Sequence, residues 1–273
     1  VIVPVLIDRQ DTWSGNEKIW MTNQSHREWV YRQAYEMGRH IIGYEVQKVL
    51  AAIDWFVYDS GSVNPDIAVA GYAEGGLIAF YSAAIDTRID AALVSGYFDS
   101  RQRVWEEPIY RNVFGLLHEF GDAEISGLIT PRKLIVEQSQ VPKIEGTSQS
   151  GEGRKATAAP GRLQTPEFDS VQDEISRAIS QFPQDPLCRQ SVELIAGHGG
   201  VTTGPGSERA LTRLLQWLNA LKGRLKPSGK LPADVRIDFD PTVRQKRQLA
   251  ELVGYTQKLL SRSGKVRQEF WKN

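Results

Sequence analysis

Five short apolar runs, Val1–Ile7, Ile67–Ala70, Ala91–Val94, Lys133–Val136 and Val192–Ala196, alternate in this chain with stretches whose apolar residues recur at helical spacing. A continuous apolar, β-branched run of about four to eight residues is the mark of a strand covered on both faces. From Arg27 to Tyr58 the apolar set, including Val30, Ala34, Ile41, Val46 and Ile53, has helical period, and Gly38 and Gly43 allow a break. Leu77–Ile85 and Ala210–Leu221 repeat that pattern. Strand and helix in alternation imply crossover connections, so the chain is expected to build a mainly parallel sheet with helices on both faces, an α/β fold.

Size and charge exclude several classes. The chain has 273 residues with 33 basic and 33 acidic side chains, so it carries no global field for nucleic acid or for a cationic partner. Its single cysteine, Cys188, excludes an internal disulfide and a cysteine zinc cluster. No run approaches the roughly 18 apolar residues of a membrane helix, and no membrane partner is expected. Because Val1–Ile7 already reads as a buried strand, the chain is expected to begin inside a longer protein, with upstream residues or a further domain as partners. Residues 1–222 are expected to form the α/β domain, 223–240 a linker, and 241–273 a basic terminal helix.

Two segments break the rhythm. Gln140–Pro166 is rich in Gly, Ser, Thr, Pro and Lys without an apolar period, as expected for a mobile surface loop. Pro241–Phe270 has a helical pattern, and eight Lys or Arg between Arg244 and Lys272 face only Glu251 and Glu269. The reading given to it is a solvated helix docked on the domain or leading to a following one. A nucleic-acid surface is the weaker alternative, because no aromatic residues interleave with the charge.

The most informative stretch runs from Asp66 to Phe80: a short buried strand, the turn Gly71-Tyr72-Ala73-Glu74-Gly75-Gly76, and a helix. This is the layout of a nucleophile elbow, in which glycines make room for a sharp turn and the central residue is held exposed and strained. The N–H after the central residue then helps to form an oxyanion hole beside a helix N-terminus. Here the centre is Ala73, which has neither a nucleophilic oxygen nor a titratable proton, so acyl-enzyme chemistry cannot start from it.

In that turn, in Gly38-Arg39-His40-Ile41-Ile42-Gly43, in Asn64-Pro65-Asp66, in Asp86-Thr87-Arg88-Ile89-Asp90 and in Gly197-His198-Gly199, the chain resembles the α/β-hydrolase superfamily. The likeness is to the dienelactone hydrolase and acetyl xylan esterase-like branch, over about residues 1–222. It implies that Val1–Ile7 is the family's fourth strand and that the first three strands are missing. It also implies a catalytic place for His198 on the loop after the last strand, and oxyanion or binding places for Glu74 and Tyr72. The acid of a triad would be Glu137 at the end of the Lys133–Glu137 strand, although the usual turn after it is replaced by Gln138-Ser139-Gln140 and a structural acid is an equal reading. Asp99 is the alternative acid, its commoner role being that of a turn residue. His26 and His118 read as helix-surface or boundary residues, His40 as a packed structural one, and Cys188 as a small buried hydrophobe.

No metal spacing such as H-E-x-x-H, no phosphate-binding loop and no dinucleotide fingerprint is present, and the resemblance implies no cofactor. Two functions follow from it. One is a hydrolase-fold protein without serine-esterase activity that binds a small-molecule ester, a carbohydrate-linked ligand or a partner. The other is an active ester hydrolase whose serine was engineered out or whose nucleophile lies elsewhere.

Overall fold

The computed structural model describes residues 1–14, 16–61, 64–146, 158–221, 223–226, 229–230 and 233–272. They fall into two compact units. One draws on residues 1–6, 40–146 and 158–226, and the other on residues 7–39 and 229–272.

In the larger unit a four-stranded parallel sheet has the order β1-β2-β3-β6, from strands β1 (Ala68–Tyr72), β2 (Ala91–Ser95), β3 (Lys133–Glu137) and β6 (Val192–Ile195). Strand periodicity sorts its side chains. Ala92, Val94, Leu134 and Val136 point into the main core with helices α2 (Ile41–Asp59), α3 (Glu74–Ile85), α5 (Asp122–Gly127) and α6 (Phe168–Gln181). Ala91, Leu93, Ile135 and Ile195 point to the opposite face, where Ala210 and Leu214 of α8 (Glu208–Trp217) close a second, smaller core. The expected α/β architecture with helices on both faces is therefore present. α3 is apolar nearly all round, with Leu77, Phe80 and Ala83 wholly buried, as befits a helix pressed against β1 and β2.

Three features differ from the sequence reading. Val1–Ile7 is not a strand: no ladder pairs with it among the described residues, Val1 and Val3 are exposed, and the Val5 carbonyl accepts the Lys48 ammonium instead. An apolar run becomes a strand only where a neighbour completes its hydrogen bonds, and among the described residues β1 pairs with β2 alone. Of the loop expected over 140–166, residues 147–157 lie outside the described residues, but its flanks form a two-stranded antiparallel ribbon, β4 (Ile144–Glu145) with β5 (Arg162–Leu163). The stretch between β2 and β3 holds the short 3-10 turns Arg101–Glu106 and Ile109–Arg111, the single turn α4 (Leu116–Glu119) and α5, none of which has a long enough period to be read. A further turn, α7 (Pro186–Arg189), carries the half-buried Cys188, which packs against the main core.

The smaller unit contains α1 (His26–Glu36) and the long α9 (Pro241–Phe270), whose limits match the expected terminal helix. The long pattern from Arg27 onward does break near Gly38, whose φ is +64°, a left-handed conformation that suits glycine. His26 stands at the boundary of α1, as its first residue, but is fully buried rather than on a helix surface. Its ring lies 4.2 Å from that of Trp13, and its Nδ1 meets the Asp8 carboxylate, which also accepts Gln245 Nε2 at 2.9 Å. Among the described residues no helix is long and apolar enough to cross a membrane.

Candidate functional site

In a parallel sheet all strands end on the same side, and ligand sites of open α/β sheets gather there. Ala73 follows β1, Asp99 follows β2, Glu137 closes β3 and His198 follows β6, so the topology delivers every candidate residue to the carboxyl end of the sheet.

The turn between β1 and α3 is sharp and lined by glycines. Ala73 has φ 51° and ψ −111°, its N–H donates to the Ser95 carbonyl at 2.9 Å, and its own carbonyl accepts Leu77 N–H as α3 begins. A non-glycine residue held at such angles stores about 1–3 kcal/mol of strain. The glycines are needed for contact: a Cβ on Gly71 would lie 1.9 Å from the Gly75 carbonyl oxygen, and one on Gly76 would lie 3.1 Å from that of Ser95.

The apex is closed over. Ala73 is 7% exposed and packs with Val141 and with Leu163 of β5, while Tyr72 and Ile144 flank this small apolar cluster. The Tyr72 hydroxyl donates to the Gln140 carbonyl at 2.7 Å, tying the same segment down.

Glu74, the first residue of α3, has a buried carboxylate engaged by Arg111 Nε at 2.7 Å. Arg111 also meets Glu107 at 3.3 Å, and Glu107 meets Arg101 at 3.1 Å. Arg101 in turn lies 3.5 Å from Asp122 and 3.9 Å from Asp99, and both guanidiniums sit near the Tyr97 ring, at 4.7 and 5.7 Å from its centre. Four acids thus share two buried arginines. Burial pushes the Asp122 carboxyl up to about 7 against the pull of Arg101, and burial likewise raises Asp99 despite its bond from Ser170. This network escaped the sequence reading. Its one visible signal is the density of charge in Asp99–Arg111 between apolar stretches, and spacing alone does not show that α5 and a 3-10 turn converge.

Glu137 is 1% exposed and both of its oxygens accept hydrogen bonds. Oε2 accepts the Ser95 hydroxyl at 2.6 Å and Gly206 N–H at 2.8 Å, while Oε1 accepts Ser207 N–H at 2.8 Å. Burial raises this carboxyl, but the hydrogen bonds from Ser207, Ser95 and the backbone outweigh it and hold Glu137 below the usual carboxylate range. All these partners are in β2 or in the loop that follows His198. Gly204 packs against the carboxylate so closely that a Cβ there would lie 2.2 Å from Oε2.

His198 stands exposed in the turn His198–Gly200, and its imidazole makes no hydrogen bond among the described residues. Asp99 is half-buried, accepts from Ser170 and sits in the Arg101 network rather than beside an imidazole. His40 caps α2, its Nδ1 accepting Ile42 N–H at 3.1 Å and its Nε2 meeting the Asn112 carbonyl at 3.1 Å, which fixes the neutral tautomer with the proton on Nε2. His118 is exposed beside Glu119.

No family model matches this chain, and no curated protein sequence is significantly similar to it. Among solved structures it is similar to a glucuronoyl esterase from Solibacter usitatus, at 13% identity over 67% of this chain and 49% of that one, with a TM-score of 0.38. It is also similar to a protein assigned as an acetyl xylan esterase from Bacteroides fragilis, at 14% identity over 71% of this chain and 48% of that one, with a TM-score of 0.43. The chain spans about half the length of each.

Proposed function

We propose that this chain is a hydrolase-fold protein without serine-esterase activity, whose role is binding or scaffolding. The observation that carries this reading is the apex of the elbow, where Ala73 offers no nucleophile and its methyl is packed under Val141 and Leu163. The engagement of Glu137 by Ser95, Gly206 and Ser207 supports it further, because the hydrogen bonds this carboxylate makes among the described residues tie strands and loop together rather than orient an imidazole. Ligand screening starts from carbohydrate-linked esters on the strength of the sequence resemblance alone.

The test is covalent labelling by a fluorophosphonate probe, read by intact mass and peptide mapping, on this chain and on Ala73→Ser. Neither protein is expected to label. Labelling of the unmodified chain, or hydrolysis of an activated ester that His198→Ala abolishes, overturns the reading. Labelling of the serine variant alone leaves this chain non-catalytic but shows that its apex is open.

One observation favours the alternative of an active hydrolase deprived of its serine: the positive φ of Ala73, a strained conformation retained where no nucleophile uses it. A serine codon at that position in the natural gene would show that the alanine is artificial.

A further inference from the structure

From Leu249 onward α9 carries a seam in strict four-three alternation. Leu249, Leu252, Leu259, Val266 and Phe270 occupy it, with Thr256 and Ser263 between them, over three heptads. A repeat of 3.5 residues is the period at which one helix keeps its apolar edge against another helix. Gln245 and Leu249 at the start of the helix are buried, but Val266 is 61% and Phe270 72% exposed, so the seam opens toward the helix C-terminus. Val253 and Leu260, one residue beyond seam positions, widen the apolar stripe and are also exposed.

Charge decides what fits there. Within Pro241–Phe270 seven Lys or Arg face two Glu, a net of +5 (7 − 2), and both glutamates lie near a basic residue of the same helix, Glu251 by Arg247 at 3.8 Å and Glu269 by Lys265 at 3.9 Å. The positions flanking the seam include Lys246, Arg262 and Arg267 against Glu269 alone. Two copies of such a helix would place like charges along their shared edge, whereas glutamates at the flanks of a partner would meet opposite charge. A bilayer surface would suit the charge but not the regular Thr256 and Ser263 inside the apolar stripe, which a second helix accommodates against its own side chains.

We propose that the C-terminal half of α9 is a docking seam for an acidic amphipathic helix of another protein, gripped by the Leu252–Phe270 edge and selected by Arg262 and Arg267. The test uses the full chain and a fluorescently labelled synthetic peptide of about four heptads, with Ile and Leu in its seam and Glu at its flanks. The same peptide with Lys at its flanks, and vesicles of phosphatidylserine and phosphatidylcholine, are run alongside. Anisotropy is expected to show saturable binding of the Glu peptide that weakens at least about tenfold in Leu252→Glu with Leu259→Glu, with little binding of the Lys peptide or the vesicles. Arg262→Glu with Arg267→Glu, exposed changes that leave the seam intact, is expected to reverse the preference between the two peptides. Equal binding of both peptides, binding of neither, or vesicle binding without peptide binding overturns the proposal. Sedimentation as a dimer that Leu252→Glu dissociates also overturns it, by making a second copy the occupant.

Discussion

The Ser95 hydroxyl donates to Glu137 across neighbouring strands at 2.6 Å, inside the sheet, where both residues are all but fully buried. Glu137 therefore joins β2, β3 and the loop beyond His198, and its removal is expected to be felt as stability. Glu137→Leu leaves the Ser95 hydroxyl and the N–H groups of Gly206 and Ser207 without an acceptor, and is expected to cost about 3 kcal/mol or more in urea denaturation. Because the folded carboxyl titrates below its ordinary value, its contribution is present above that ordinary value and lost as pH falls through the lower folded one. A loss of under about 1 kcal/mol in Glu137→Leu would remove the structural role.

Asp122 has the opposite sign. Its folded carboxyl titrates at about 7, against about 3.9 in an unfolded chain, so the folded state holds the proton more tightly. The stabilisation it gives is fully present below about 4 and is lost as pH rises through about 7. Asp122→Asn, neutral at every pH and still able to accept the Asp99 N–H, is expected to flatten the decline in stability across that window. Parallel pH curves for the two proteins, measured by denaturant midpoints, would count against this account.

The buried pair of Glu74 and Arg111 gives a double-mutant cycle. Glu74→Leu leaves the buried Arg111 guanidinium with Glu107 at the longer 3.3 Å, and Arg111→Leu takes from the Glu74 carboxylate its partner at 2.7 Å, so each single change is expected to cost about 3 kcal/mol. The double change is expected to cost clearly less than the sum, since it leaves no uncompensated partner in that pair. Strict additivity would mean that Glu107 and Arg101 absorb each loss independently.

Backbone geometry, rather than packing, is expected to govern substitutions at Ala73. Glycine relieves the positive φ but forfeits a buried methyl and stiffens the chain less, so Ala73→Gly is expected to shift stability by under about 1 kcal/mol. Valine would add apolar surface to the Val141 and Leu163 cluster, yet a β-branched residue is a strong outlier at this φ, and a loss of several kcal/mol is expected. Valine tolerated better than glycine would show that the apex is not strained.

What the sequence made legible was whatever repeats locally. The four paired strands, the break near Gly38 and the limits of α9 follow from periods and turn residues that need no knowledge of the rest of the chain. The sharp turn between β1 and α3 was legible because Gly71, Gly75 and Gly76 stand where a strand passes directly into a helix. Val1–Ile7 misled because an apolar run specifies burial only when a partner strand exists, and pairing is a property of the assembled sheet. His26 was legible as a helix boundary but not as buried, since a lone histidine at a helix start shows neither the Trp13 ring beneath it nor Asp8 at its side. The Arg101 and Arg111 network is the most distant from sequence, since its members come from α3, α5 and the 3-10 turns, and their meeting depends on how those turns pack.

The clash that any side chain at Gly71 would make with the Gly75 carbonyl has a bearing on how such turns are recognised. The glycine spacing is enforced by two backbones crossing at a corner, and it would be enforced equally if the residue at the corner did no chemistry. A search pattern built on those glycines therefore retrieves an architectural joint. Whether the joint holds a nucleophile is written in one intervening position, and here that position holds a methyl group.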